Sequence, residues 1–318
     1  MHDQTPILTV TLNPAVDVAT TVPRVIAGPK LRCAPPRFDP GGGGVNVARA
    51  INKLGGAATA LVAVGGAMGE RLLALLAAEQ ITALPVPVPG ETRQSFAILD
   101  ETTGEQYRFT VPGPPLGAQD AETLIDAIAR ETPHGGYLVL SGSVSPGLAV
   151  DFPSQIIAAT KHQAPKVIID TSSASLMQLI AQPTAPAHIL RVDQKEAAEA
   201  AAHPMNTIAD SVAFAADLVA RGVAETVVTG RGAEGSVLVS KDQRLICHPP
   251  TVPVRSKIGA GDAYVGSMTL ALARGLPLRQ ALQWGVAAAS ATVSTDGTAL
   301  CDTDTASLRF AQCETEDL

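Results

Sequence analysis

At 318 residues the chain is long enough for one large α/β domain or two smaller ones. Its 46% hydrophobic but only 3% aromatic composition predicts a core of Ala, Val, Leu and Ile. A net charge of −7 leaves no basic surplus to neutralise phosphates, which argues against a nucleic-acid binder. No stretch approaches the roughly 18 strongly apolar residues of a membrane span, and the opening MHDQTPILTVTLNP lacks the basic start and apolar run of a signal peptide. The four cysteines, Cys33, Cys247, Cys301 and Cys313, are far apart and form no C-x-x-C, which predicts reduced structural thiols in a cytoplasmic protein. The six histidines are scattered, none in a pair with metal spacing, and none is given a role.

Ile7 to Leu12 reads as a β-branched strand stopped by Asn13-Pro14, and Val16 to Thr21 alternates as a strand with one face in water. Lys30 and Arg32, two apart in an extended stretch, would share a face. Four glycines, Gly41 to Gly44, run into a helix whose apolar positions are Val45, Ala48, Ile51 and Leu54 and whose stop is Gly55-Gly56. Such a run costs backbone entropy and suits close approach of a ligand to the main chain. Thr59 to Val64 is a strand and Glu70 to Ala78 a helix; the proline-rich Pro85–Gly90 then breaks the pattern. Gln94 to Leu99 and Glu105 to Val111, around a polar 100–104 turn, form a hairpin flanked by Arg93 and Arg108.

A βα rhythm follows. Helices are expected near 120–130, 151–163, 194–202, 207–221, 261–273 and 278–293, with a further helix after Asp170. Strands are expected at 137–140, 166–169, 188–192, 226–229 and 236–240, with the last near 245–247. Ser141 and Asp170 stand at strand ends, where open α/β sheets bind ligands. The whole predicts one doubly wound α/β domain over 1–318, with a mostly parallel sheet and a small β lid built from about 15–38 and 91–112.

The central motif is Gly259-Ala260-Gly261-Asp262, which opens a long small-residue helix. The bare N–H groups and positive end of the helix make an anion site, and Asp262 in the first turn stands beside it. A cradle for anions next to a carboxylate base suits phosphoryl transfer. Gly230-x-Gly232-x-x-Gly235 matches a dinucleotide fingerprint, but a strand and not a helix follows it, so it reads as a strand-to-strand turn along which a nucleotide could lie. No P-loop pattern occurs. Asp193 and Glu196, three apart at a helix start, could hold water-bound Mg²⁺ or could simply answer the helix dipole.

These features occur in an order that resembles the PfkB, or ribokinase-like, family of sugar kinases, from about residue 6 to residue 302. Within it, TLNPAVD (11–17), KLRC (30–33), PGGGGVNVARA (40–50), GEQYRF (104–109) and GTALC (297–301) are similar to the hexose-phosphate kinases. The resemblance implies a ribokinase-like fold and ATP- and Mg²⁺-dependent phosphorylation of a hexose phosphate. Fructose 6-phosphate is the expected acceptor, with tagatose 6-phosphate or fructose 1-phosphate as alternatives. It implies Asp262 as base, with the Gly259, Ala260 and Gly261 backbone as anion hole. Asp17, Gly42, Gly43 and Asn46 would hold sugar hydroxyls, and Lys30, Arg32, Arg93 and Arg108 the sugar's phosphate, with Ser141 nearby. Arg191, Gly230, Gly232, Gly235 and Lys257 would lie along ATP, with Asp193 and Glu196 acting through Mg²⁺ and water. The lid would close over the sugar and join two copies in a homodimer.

The departures from the family pattern cluster on the nucleotide side: Asp193 for Asn, Arg191 for Lys, Val192 for Pro, Lys257 for Thr or Ser, and Thr295 for Asn. Lys257 could supply its own charge in place of a bound monovalent cation. These changes leave open a sugar- or nucleotide-binding protein without catalysis.

Overall fold

The computed structural model describes residues 4–318, so the first three residues of the N-terminal stretch considered above lie outside it. The chain starts in the middle of its main sheet with β1 (Ile7–Thr11). It leaves for a second sheet with β2 (Ala15–Val22) and β3 (Arg37–Gly41), then returns through α1 (Gly43–Lys53), β4 (Thr59–Val64), α2 (Gly66–Ala78) and β5 (Thr82–Pro87). The hairpin β6 (Arg93–Asp100) and β7 (Gln106–Thr110) completes the second sheet. After α3 (Ala118–Glu131) come β8 (Tyr137–Ser141), α4 (Phe152–Thr160), β9 (Lys166–Asp170), α5 (Ser173–Ala181), β10 (Ala187–Asp193), α6 (Gln194–Ala201) and α7 (Ile208–Ala220). The last third is β11 (Ala224–Gly230), β12 (Ser236–Ser240), β13 (Arg244–His248), α8 (Ala260–Ala273), α9 (Leu278–Thr292), α10 (Thr303–Gln312) and β14 (Glu314–Asp317).

Among the described residues the main sheet has ten strands in the order β14-β13-β12-β11-β10-β9-β8-β1-β4-β5, and the small sheet four, β3-β2-β6-β7. From β5 to β11 the main sheet is parallel; β12, β13 and β14 add antiparallel pairs. Helices cover both faces, so the central strands β1 and β8 are buried at every position. Their side chains alternate with period two. Leu138 and Leu140 enter the core under α3 to α7, whereas Tyr137 and Val139 enter the core shared with α1, α8, α9 and α10. The order reverses between β1 and β8, since the chain runs outward from β1 to β5 and then resumes on the other side at β8. That reversal is where open α/β sheets form their crevice.

Three local expectations change. Pro85 and Pro87 do not end the pattern; they lie in β5, the parallel edge strand. Proline is tolerated there because residues two apart send their N–H positions to the same side, here away from β4, while Val88 N, on the other parity, donates to Val64 O at 2.9 Å. The Lys30–Arg32 segment is no strand but part of an exposed connection, and the partner of β2 is β3, which runs into the glycines. Helix α2 begins at Gly66 rather than Glu70, because Glu91 from the following chain accepts from Ala67 N (3.2 Å) and Met68 N (3.1 Å) at its start. No described helix is long and apolar enough to cross a membrane.

Candidate active site

Two helix starts and three strand ends build one polar network at the reversal. Gly259 adopts φ +74°, left-handed backbone that glycine takes without penalty, and caps α8 so that Asp262 falls in its first turn. Gly42, at φ +109°, caps α1 and sets Asn46 one turn in. Asn46 Nδ2 donates to Asp262 Oδ2 at 2.9 Å. Ser141 Oγ, at the end of β8, lies 3.5 Å from Asp262 Oδ1 and 3.4 Å from Asp170 Oδ2, at the end of β9. Asp170 Oδ1 in turn accepts from Arg191 Nη1 on β10 at 3.1 Å.

The surroundings hold the Asp262 carboxyl at about 6 instead of 3.8. Burial is the largest cause, and the negative charges of Asp170 and Asp17 add to it, while the Asn46 hydrogen bond and Arg191 pull the other way. Arg191 is held above its ordinary value: burial alone would lower it, but Asp170, with Glu196 and Asp193, outweighs that. Asp17, on β2, is likewise pushed up to about 6, by burial and by Asp39 opposite it, against the cations Arg93, Arg49 and Arg108. Arg93 is anchored at the start of β6 by Asn13 O (3.2 and 3.1 Å) and Val111 O (3.3 Å). Arg108 is exposed on β7 but close enough for its charge to act on Asp17. Lys30 and Arg32 lie on the exposed connection between β2 and β3, with no hydrogen bond or ion pair to any described residue.

Protein packing constrains the glycine run. A Cβ on Gly43 would stand 2.5 Å from Gly142 N, from the Ser141 carbonyl carbon and from Ser141 Oγ. A Cβ on Gly41 would strike the Asp17 carboxylate, and one on Gly44 the Val10 carbonyl and Thr11 Oγ1. Bare backbone thus lets α1 sit directly on the ends of β1 and β8, a packing demand on the same glycines that the sequence reading gave to ligand approach.

A cavity of about 1020 Å³ abuts the same helix start, lined by Ala260, Gly261, Lys257, Arg191 and Asp193 and by an apolar wall of Val286, Ala289 and Val293. Gly230, Gly232 and Gly235 form its rim as the β11–β12 turn, the strand-to-strand turn expected; there Gly235, at φ +104°, packs on the Cys247 carbonyl. Arg231, inside that turn, donates to Met205 O (3.2 Å), Asn206 O (3.3 Å) and Thr207 O (2.9 Å), tying the opposite wall to the turn. Asp193 and Glu196 form a reciprocal capping box on α6: Glu196 N donates to Asp193 Oδ1 and Asp193 N to Glu196 Oε2, both at 2.8 Å. Among the described residues no group of three or more His, Cys, Asp or Glu side chains is placed to hold a metal ion.

Sequence reasoning left Asp170, Arg49 and Arg231 out of the site. Asp170 carried a signal, a charge at the carboxyl end of a parallel strand. Arg231 sat unread inside the glycine motif, and Arg49 stood without a role inside the PGGGGVNVARA stretch (40–50).

The sequence model of the pfkB family carbohydrate kinases matches residues 11–306. ATP-dependent 6-phosphofructokinase isozyme 2 of Escherichia coli (strain K12) is 39% identical over 298 residues, covering 94% of this chain and 96% of that protein. A 1-phosphofructokinase of Xanthomonas campestris pv. campestris is 34% identical, covering 83% of each. The crystal structure of phosphofructokinase-2 from Escherichia coli in complex with potassium superposes with a TM-score of 0.92 at 38% identity, covering 97% of this chain and 99% of that one.

Proposed function

The chain belongs to the pfkB family of carbohydrate kinases and is an ATP-dependent sugar kinase; we propose that its acceptor is a hexose phosphate, fructose 6-phosphate, converted to fructose 1,6-bisphosphate. The observation that carries this reading is the position of Asp262. It stands at a helix N-terminus between the Asp17–Arg93–Arg108 side of the cleft and the cavity lined by Lys257, Arg191 and the glycine turn.

In this account Asp262 accepts the proton of the attacking hydroxyl, and the Gly259, Ala260 and Gly261 backbone at the start of α8 stabilises the charge on the migrating group. Asp17, Gly42, Gly43 and Asn46 orient the sugar, with Ser141 beside them. Arg93 and Arg108, with Lys30 and Arg32 brought in as the small sheet closes like a lid, hold the phosphate already on the sugar, a dianion best gripped by several cations. Gly230, Gly232, Gly235 and Arg191 take ATP. The residues suit Mg²⁺ bound through water: the capping box uses one oxygen of Asp193 and one of Glu196, leaving the other of each free for coordinated water. When bound, Mg²⁺ neutralises phosphate charge. Lys257 supplies a fixed cation near the same helix start, so turnover should be unchanged by K⁺; strong K⁺ activation would remove that role. The hairpin β6–β7 exposes Leu99 and Phe109, with Val111 just beyond, a surface for a homodimer in the cytoplasm.

The test is ADP release with Mg²⁺-ATP against fructose 6-phosphate, tagatose 6-phosphate, fructose 1-phosphate and unphosphorylated sugars. Turnover concentrated on fructose 6-phosphate is expected. A preference for fructose 1-phosphate would favour the reading suggested by the 34% relative, and turnover of free sugars alone would refute the phosphate grip.

A further inference from the structure

Arg49 is 3% exposed and sits on α1, one turn beyond Asn46, with no hydrogen bond or ion pair to Asp262. Its fork is fully assigned. Nε and Nη2 donate to the two oxygens of Glu79 at 2.8 and 2.7 Å, and Nη2 is 3.9 Å from Asp39. That pairing fixes the plane of the guanidinium and therefore where Nη1 points: to Pro40 O at 3.1 Å and Asn46 Oδ1 at 3.2 Å.

A guanidinium has donors and no acceptor, so only the oxygen of a carboxamide can face it. The other end of the Asn46 amide, its NH₂, is thereby turned toward Asp262 Oδ2. Were the amide reversed, its NH₂ would face the cation and its oxygen would face a carboxylate, two repulsive contacts instead of two hydrogen bonds. Arg49 thus selects one of two amide orientations that are otherwise of equal shape.

We propose that Arg49, held by Glu79, is a positioning residue for the transfer reaction: it locks the Asn46 amide so that its NH₂ always faces the base, keeping that base ionised and aimed. This rests on the reading of Asp262 as base. The other groups facing Asp262 are Asp170, Arg191, Asp17 and Ser141, from four different strands, and none of them can orient the amide. Arg49 also acts by charge on Asp17, so a test must separate its charge from its geometry.

The experiment is the pH profile of kcat for Arg49→Lys and Arg49→Met beside the wild type. Lysine keeps the charge, but its single nitrogen follows Glu79 and releases the amide. In both variants the acid limb should move up by about one pH unit, because the carboxylate loses a hydrogen bond that favours its charged form. At pH values above the limb kcat should recover toward wild type. A purely structural role would lower kcat by the same factor at every pH and leave the limb in place, which overturns the proposal. A shift in Arg49→Met but none in Arg49→Lys also overturns it, since charge alone would then suffice. If Arg49→Met does not fold, Arg49→Lys decides. The base reading fails separately: it falls if the wild type has no acid limb or if Asp262→Asn keeps turnover.

Discussion

Replacing Gly43 by alanine adds one carbon where α1 meets β8. The new Cβ would sit 2.5 Å from three atoms, two of them backbone, against an ordinary contact of 3.4 Å or more. Neither side yields easily. Gly142 N donates to Asp170 O at 2.9 Å, and Ser141 is in register with Asp170 in the parallel ladder. The first turn of α1 must therefore back away by roughly 1 Å, and overpacking of that kind costs about 1–3 kcal/mol. Asn46 rides on the same turn, and a displacement of about 1 Å at a reacting group costs on the order of 100-fold in rate. Gly43→Ala should thus lower Tm by about 2–5 °C and kcat by about 100-fold, read by differential scanning calorimetry and ADP release. Gly222→Ala is the control: it has positive φ (+73°) but open space around it, in the turn before β11, so it should cost about 1 kcal/mol and leave kcat unchanged. A Gly43→Ala protein with the wild-type Tm and kcat would refute the packing argument.

The pH dependence of kcat follows from Asp262. A base whose carboxyl titrates at about 6 is protonated and idle below that value, so kcat should rise through pH 6 and level off above 7; a flat profile from pH 5 to 8 would contradict this. Folded Asp262 and Asp17 both hold their protons to about 6, against 3.8 in the unfolded chain. The folded state therefore binds more protons between those values, and their contribution to stability falls as pH rises from about 4 to 6. Asp262→Asn should accordingly gain in Tm over the wild type as pH rises from 4 to 7, and a constant difference in calorimetry would count against the assigned burial cost. Arg231 holds three carbonyls of the 205–207 wall, so Arg231→Met should raise KM for ATP about tenfold or more with KM for the sugar phosphate unchanged; equal rises in both would show a general loss of structure instead.

The doubly wound core was legible because its strands are apolar runs and its helices carry clear stops. The Gly259–Asp262 motif was legible because a helix start has only a few ways to be built. What was missed has physical reasons. β14 is ETED, with no apolar alternation; it is a strand only because its main chain pairs with β13 at the sheet edge. β3 contains Pro40 and Gly41 and is defined by pairing with β2. α10 has only Ala306 buried, too thin an apolar stripe to stand out, although Asp302 caps it through Thr305 N at 2.8 Å. Within the site, sequence offered Asp262, Asn46, Ser141 and Arg191 as separate residues. The link of Ser141 to Arg191 through Asp170 depends on β8, β9 and β10 being neighbours, which only the strand order supplies. The reading of Asp193 and Glu196 met its rival directly, since both carboxylates do cap α6.

The most direct test of the account is Asp262→Asn, measured for both turnover and binding. Asparagine keeps the shape and removes the proton acceptor. kcat should fall by about 10³-fold, while the Kd for fructose 6-phosphate, measured by titration calorimetry, stays close to wild type. A kcat near that of the wild type would contradict the assignment of Asp262 as the base.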